Sequence, residues 1–224
     1  MYYVFATSCF LSAVTIGLIA QIILRWTATY ASRVPAQLSG YKVARLLLDG
    51  SNLQHVEIEQ TPARFSEHYD THRKILRLSR DTYHGRTLPA VGFAAHEAGH
   101  AISNEHLVIS RIIRAFAIPS ANFGSLAAIV LIVLGFMLQV SQLALAGIGI
   151  FCVVVILQLV NLPFEHAVSR MVQARIVELQ ILDEKDLSEL RRVLHAAALS
   201  NLAAVVYPFA AIYDLTISSI RRIA

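Results

Sequence analysis

The chain is expected to be mainly α: a polytopic membrane protein with three or four transmembrane helices, one further helix carrying a His-Glu-x-x-His run, and a small β-hairpin or sheet. Three observations lead there. Of 224 residues, 56% are hydrophobic and only 15% charged, where a soluble domain carries about a quarter, and the mean hydropathy is +0.57. Uncharged stretches long enough to cross roughly 30 Å of hydrocarbon recur along the chain. The pentapeptide His96-Glu97-Ala98-Gly99-His100 sets two histidines one helical turn apart.

Residues 2–24 carry no charge and form the first span. With no basic region before it, too long an apolar run for a secretory signal, and Arg25 directly after it, this stretch reads as an uncleaved anchor. Residues 30–110 follow outside the bilayer. There, Ser39-Gly40 opens an amphipathic helix over Tyr41–Leu48, with Val43, Leu46 and Leu47 on its apolar face and Asp49-Gly50 at its end. His55–Glu59 alternates apolar and polar residues as a short strand does, Tyr69–His72 reads as a turn, and Lys74–Ser79 as a second strand.

Thr87 can cap the next helix, and Pro89 stands where a first-turn proline is tolerated, so the histidine pair lies mid-helix in 88–103. Glycine costs a helix about 1 kcal/mol against alanine, so Gly99 there marks a packing constraint. Residues 115–138 and 143–164 form the second and third spans as a helical hairpin broken near Gln139, Ser141 and Gln142. A helix from Glu165 to about Leu182 and a second from Asp186 fill 165–192, and 193–213 is a fourth apolar span. The parts outside the bilayer are too short to fold alone, so residues 1–224 are expected to make one membrane-embedded domain.

Most of the nineteen Lys and Arg residues lie between Arg25 and Arg114, and most of the others follow the third span, which places both segments in the cytoplasm. Membrane-flanking basic residues account for the net charge of +4 and pI near 9.3, and no arginine–aromatic pattern calls for nucleic acid. Cys9 and Cys152, both inside apolar spans, behave as small hydrophobes. Gly135, Gly147 and Gly149 suit helix contacts within the chain, with membrane-protein partners or in a homo-oligomer.

Paired histidines at this spacing suit zinc, and Glu97 stands ready as a general base. A catalytic zinc needs a third protein ligand. Glu165, Glu178, Asp183, Glu184, Asp186 and Glu189 are available beyond the hairpin, and of these only Glu165 emerges at a membrane boundary, in a first helical turn where negative charge is favoured. His68, His72, His84 and His166 are more simply solvated or interfacial. Tyr69 and Tyr83 most simply bridge core and solvent. Zinc peptidases hold extended substrates along an exposed strand edge, and Lys74–Ser79 is the candidate edge.

The runs His68-Tyr69-Asp70, Leu76-Arg77-Leu78-Ser79, Tyr83-His84, Ala94–Ile102, Asn122–Ser125, Leu162-Pro163-Phe164-Glu165 and Ala196–Leu199 together resemble the YugP-type family of bacterial membrane zinc metallopeptidases. The likeness extends over nearly the whole chain. It implies a zincin-like, gluzincin-type site with His96 and His100 as ligands, Glu97 as base, Glu165 as third ligand and one zinc ion per chain. It also implies an inner-membrane enzyme acting from the cytoplasmic side on peptide bonds of membrane-associated or unfolded proteins. In that family the glutamate is followed by an aromatic residue, an acid or amide, alanine and serine. Here Glu165-His166-Ala167-Val168-Ser169 puts Ala167 at the acidic position, and in related gluzincins that acid orients a ligating histidine. Ala167 motivates the alternative of a catalytically weak zinc-binding scaffold or partner-binding protein. A transporter fits less well, because the spans carry few polar residues and no paired broken helices.

Overall fold

The computed structural model describes residues 2–31, 35–62, 67–106, 112, 115–117 and 119–206. They divide into two compact units, one drawn from Met1–Ile22, Ile113–Leu162 and Ser200–Ala224, the other from Ile23–Ile112 and Pro163–Leu199. The architecture is mainly helical with one small sheet.

In the first unit the apolar helices approach closely. Helix α1 (Tyr2–Ala31) contributes its first two-thirds, and Phe10 meets Phe151 edge-on at 5.3 Å between ring centroids. A π-helical turn (Ser120–Gly124) leads into α5 (Ser125–Met137), and α6 (Ser141–Glu178) returns antiparallel to it. A Cβ on Gly147 would meet the Ala128 carbonyl at 2.6 Å, so the two backbones nearly touch, as small residues allow between membrane helices. Gln158 on α6 donates to the Ala117 carbonyl at 2.7 Å and to Ser120 Oγ at 3.0 Å, satisfying a carbonyl beside the π-turn. The outward side of α5 and α6 leaves Val133, Phe136, Val153, Ile156 and Val160 exposed.

Among the described residues two helices are long and apolar enough to cross a membrane, Thr7–Thr27 within α1 and α6. The expected second span, 115–138, contains the π-turn and the 13-residue α5. The expected fourth span is divided. Its first residues end helix α7 (Glu184–Ala197), a short helix α8 (Ser200–Ala204) follows, and residues 207–213 lie outside those described. Val193, Leu194, Ala196 and Ala197 are fully or almost fully buried, so the apolarity that suggested a span serves a protein core. Another difference is α6 itself. It runs through Pro163, where the sequence suggested a break and a fresh helix; an apolar helix tolerates an internal proline when its surroundings satisfy the freed backbone groups.

The second unit is built around the histidine helix. Ser39 caps α2 (Gly40–Asp49) by accepting from the Lys42 amide at 3.3 Å. Val43, Ala44, Leu47 and Leu48 face the core, whereas Leu46, expected on that face, is exposed. Strands β1 (Glu57–Thr61), β2 (His68–Asp70) and β3 (Ile75–Ser79) form a sheet in the order β1-β3-β2, β1 parallel to β3 and β2 antiparallel to it. β3 is therefore the central strand, not the expected edge. The segment read as a turn begins as strand β2. The reversal comes after it, where Asp70 Oδ1 accepts from the His72 and Arg73 amides, both at 3.0 Å, and Lys74 takes a left-handed φ of 56°. Short α3 (Arg80–His84) then leads to α4 (Leu88–His106). Leu76 and Leu78 of β3, Val91, Ala94, Ala95 and Ala98 of α4, Val172 and Ile176 of α6, and Leu190 and Leu194 of α7 share one core.

Candidate metal centre

Helix α4 starts as its sequence requires. The Ala90 amide donates to Thr87 Oγ1 at 3.5 Å and the Val91 amide to the Thr87 carbonyl at 3.0 Å, with Pro89 in the first turn. Nine residues on, His96 and His100 point from one face into the protein, 2% and 3% exposed. Small residues let the neighbouring helix reach that face. A Cβ on Gly99 would collide with Val172 and lie 2.8 Å from Val168 Cγ1, both on α6.

That approach delivers Glu165, itself 2% exposed. Its Oε2 lies 3.2 Å from His96 Nε2 and 3.1 Å from His100 Nε2, and the two Nε2 atoms are 3.2 Å apart. Three donors bound to one tetrahedral zinc at about 2.0–2.1 Å stand roughly 3.3 Å from one another, so the triangle already has the size and the nitrogen and oxygen chemistry such an ion takes. These two imidazoles and the carboxylate, buried together with their ligand atoms within 4.8 Å of one another, form a group that could hold a metal ion.

Two groups behind the triangle received no role in the sequence reading. Ser169 Oγ lies 3.3 Å from His96 Nδ1 and donates to the Leu194 carbonyl of α7 at 3.0 Å. The signal was present: Ser169 is four residues after Glu165 and so on the same helix face. The second is a backbone group. The Tyr69 amide on edge strand β2 donates to Glu97 Oε2 at 3.1 Å, which no side-chain pattern could reveal.

The remaining candidates lie elsewhere. Glu178 pairs with Arg175 at 2.9 Å and Glu189 with Arg192 at 3.1 Å, both on solvated helix faces. Asp183 precedes α7, and the side chain of Glu184 lies outside those described. His84 shares a 2.9 Å hydrogen bond with Gln60, and His68 lies 3.4 Å from Arg77 Nη1. His166 stacks edge-on against His195 at 5.5 Å. Tyr83 stacks on Tyr41 at 4.7 Å, and burial, with Tyr41 adding to it, raises its phenol above the usual range. Asp70 is held below the ordinary carboxylate value by the Arg73 amide, against a smaller opposing effect of burial, with help from Arg77 and the His72 amide.

A family model described as "Putative neutral zinc metallopeptidase" matches residues 6–219. The "Putative membrane protease YugP" of Bacillus subtilis (strain 168) is 31% identical over 208 residues, which are 92% of this chain and 91% of that protein. No solved structure matches the chain.

Proposed function

This chain belongs to that zinc metallopeptidase family, and from that premise we propose that it is a zinc-dependent membrane endopeptidase with His96, His100 and Glu165 as metal ligands and Glu97 as general base. The observation that carries the proposal is the buried triangle of His96 Nε2, His100 Nε2 and Glu165 Oε2, with edges of 3.1–3.2 Å. A zinc ion bound there supplies Lewis acidity, polarising a scissile carbonyl and bringing the pKa of water to about 7. Glu97, adjacent to the first ligand on α4, takes the proton of the attacking water and returns it to the leaving amine nitrogen. The Tyr69 amide holds one oxygen of that carboxylate, limiting its rotation.

Substrate binding is assigned to β2. The Tyr69 N–H points away from β3 and toward Glu97, so an extended peptide adding to this edge would lie along the base. The exposed apolar sides of α1, α5 and α6 support a bilayer location, and the cytoplasmic placement rests on the basic residues between Arg25 and Arg114. Substrates are then membrane proteins or unfolded chains reaching the inner surface. A scaffold without turnover draws less support, because Ser169 reaches the histidine that Ala167 cannot.

Elemental analysis of the detergent-solubilised protein, run beside cleavage of an unfolded protein, tests the proposal. One zinc per chain with cleavage is expected. Zinc without cleavage returns the scaffold, and a chain that neither holds zinc nor cleaves defeats the proposal.

A further inference from the structure

The role of Ser169 follows from counting protons. The Leu194 carbonyl can only accept, so at 3.0 Å the single hydroxyl proton of Ser169 is directed to it. The Oγ lone pairs then face His96 Nδ1 at 3.3 Å, and Nδ1 must be the donor. A neutral imidazole protonated at Nδ1 has its lone pair on Nε2, the atom that faces Glu165 and His100. Ser169 thus selects the tautomer that can bind a metal. It is fully buried, so no solvent competes for either contact.

Leu194 is not an arbitrary acceptor. It lies in the last turn of α7, the end at which the helix carries roughly half a negative charge. The Ala198 amide takes one of its lone pairs at 3.0 Å and Ser169 the other.

We propose that Ser169 is a positioning residue of the metal centre, connecting the negative end of α7 to His96 and supplying through a hydroxyl the orientation that Ala167 cannot provide. The proposal rests on the zinc-site reading above, and it makes α7, which contributes no ligand, a determinant of metal affinity.

The test is zinc affinity measured by competition with a chelating dye, together with the visible absorption of the cobalt-substituted protein, on the full chain in detergent. Ser169→Ala and Ser169→Cys are compared with the parent; the second keeps the bulk of serine and replaces the hydroxyl by a weakly bonding thiol. Both are expected to lose about 10–100-fold in zinc affinity, the usual effect of losing an outer hydrogen-bond partner, and to shift the cobalt bands. Leu190→Ala, at a buried α7 position in the same core, is expected to lower the thermal midpoint while keeping the parent's affinity. Unchanged zinc affinity in both Ser169 variants overturns the proposal, as does an equal loss in Leu190→Ala. A parent without zinc defeats the metal-centre reading itself; a parent that binds and cleaves, beside unaffected Ser169 variants, defeats only this one.

Discussion

Tyr69 and Glu97 are joined by a 3.1 Å hydrogen bond from the amide of one to the carboxylate of the other. It ties an edge strand to the helix bearing both histidines, across 28 residues of sequence. The contact uses backbone, so it survives any side chain at position 69 except proline. A carboxylate anchored through one oxygen keeps its orientation without loss of rotamer freedom when substrate arrives.

Glu97→Gln keeps an acceptor for the Tyr69 amide and removes the base. Zinc content and thermal midpoint should equal the parent's, while turnover falls by about 10²–10⁴-fold. Elemental analysis and an unfolded-protein cleavage assay on the same preparation decide it. A variant cleaving at the parent's rate would exclude Glu97 as the base.

Glu165→Ala leaves His96 and His100 alone at the centre. Losing a ligand should weaken zinc binding beyond the roughly 10–100-fold of an outer-partner loss, and activity should disappear with the metal. Dialysis against a mild chelator that the parent survives gives the comparison. Full zinc retention in the variant would mean that another carboxylate completes the site.

How much of this was legible depended on range. The histidine pair, Thr87 and Pro89 are local devices, and the helix boundaries near them followed from residue type and spacing. Glu165 was reached because it emerges at a membrane boundary where a hairpin returns the chain. Missed features depend on what packs where. Leu194 and Ala197 are as apolar as any lipid-facing pair, yet they end a buried helix. β3 carries Arg77 between Glu59 and Asp70, at 3.3 and 3.1 Å, and this cross-strand pairing lets a central strand hold a basic residue. Pro163 reads as a boundary because propensity is local, whereas α6 continues through it.

Gly99→Ala should destabilise the protein despite alanine's helix propensity advantage of about 1 kcal/mol. The new methyl meets Val172 and Val168 at the α4–α6 contact. Overpacking of this kind costs about 1–3 kcal/mol, and it would also push Glu165 away from the histidines. A lower thermal midpoint accompanied by weaker zinc binding is expected; a midpoint above the parent's would show that the interface yields freely.

Acid should loosen the β2–β3 turn. Asp70 accepts from the His72 and Arg73 amides and pairs with Arg77 at 3.1 Å. The Arg73 amide is the largest cause of its lowered pKa, burial opposes it, and Arg77 and the His72 amide add to it. Because the folded value lies below the ordinary 3.8, the stabilisation is fully present above that value and is lost as pH falls through the folded one. The pair is partly solvated, so the effect stays within about 1 kcal/mol. Asp70→Asn keeps an oxygen for the two amides but cannot ionise. The stability gap between parent and variant should therefore be constant from neutral pH to about 5 and narrow as pH falls below 3.8. Thermal unfolding of both proteins from neutral pH into acid measures it, and a gap that does not narrow below 3.8 would assign the effect to shape instead of charge. Since β2 carries the amide that holds Glu97, hydrogen exchange at Tyr69 should accelerate over the same acid range in the parent alone.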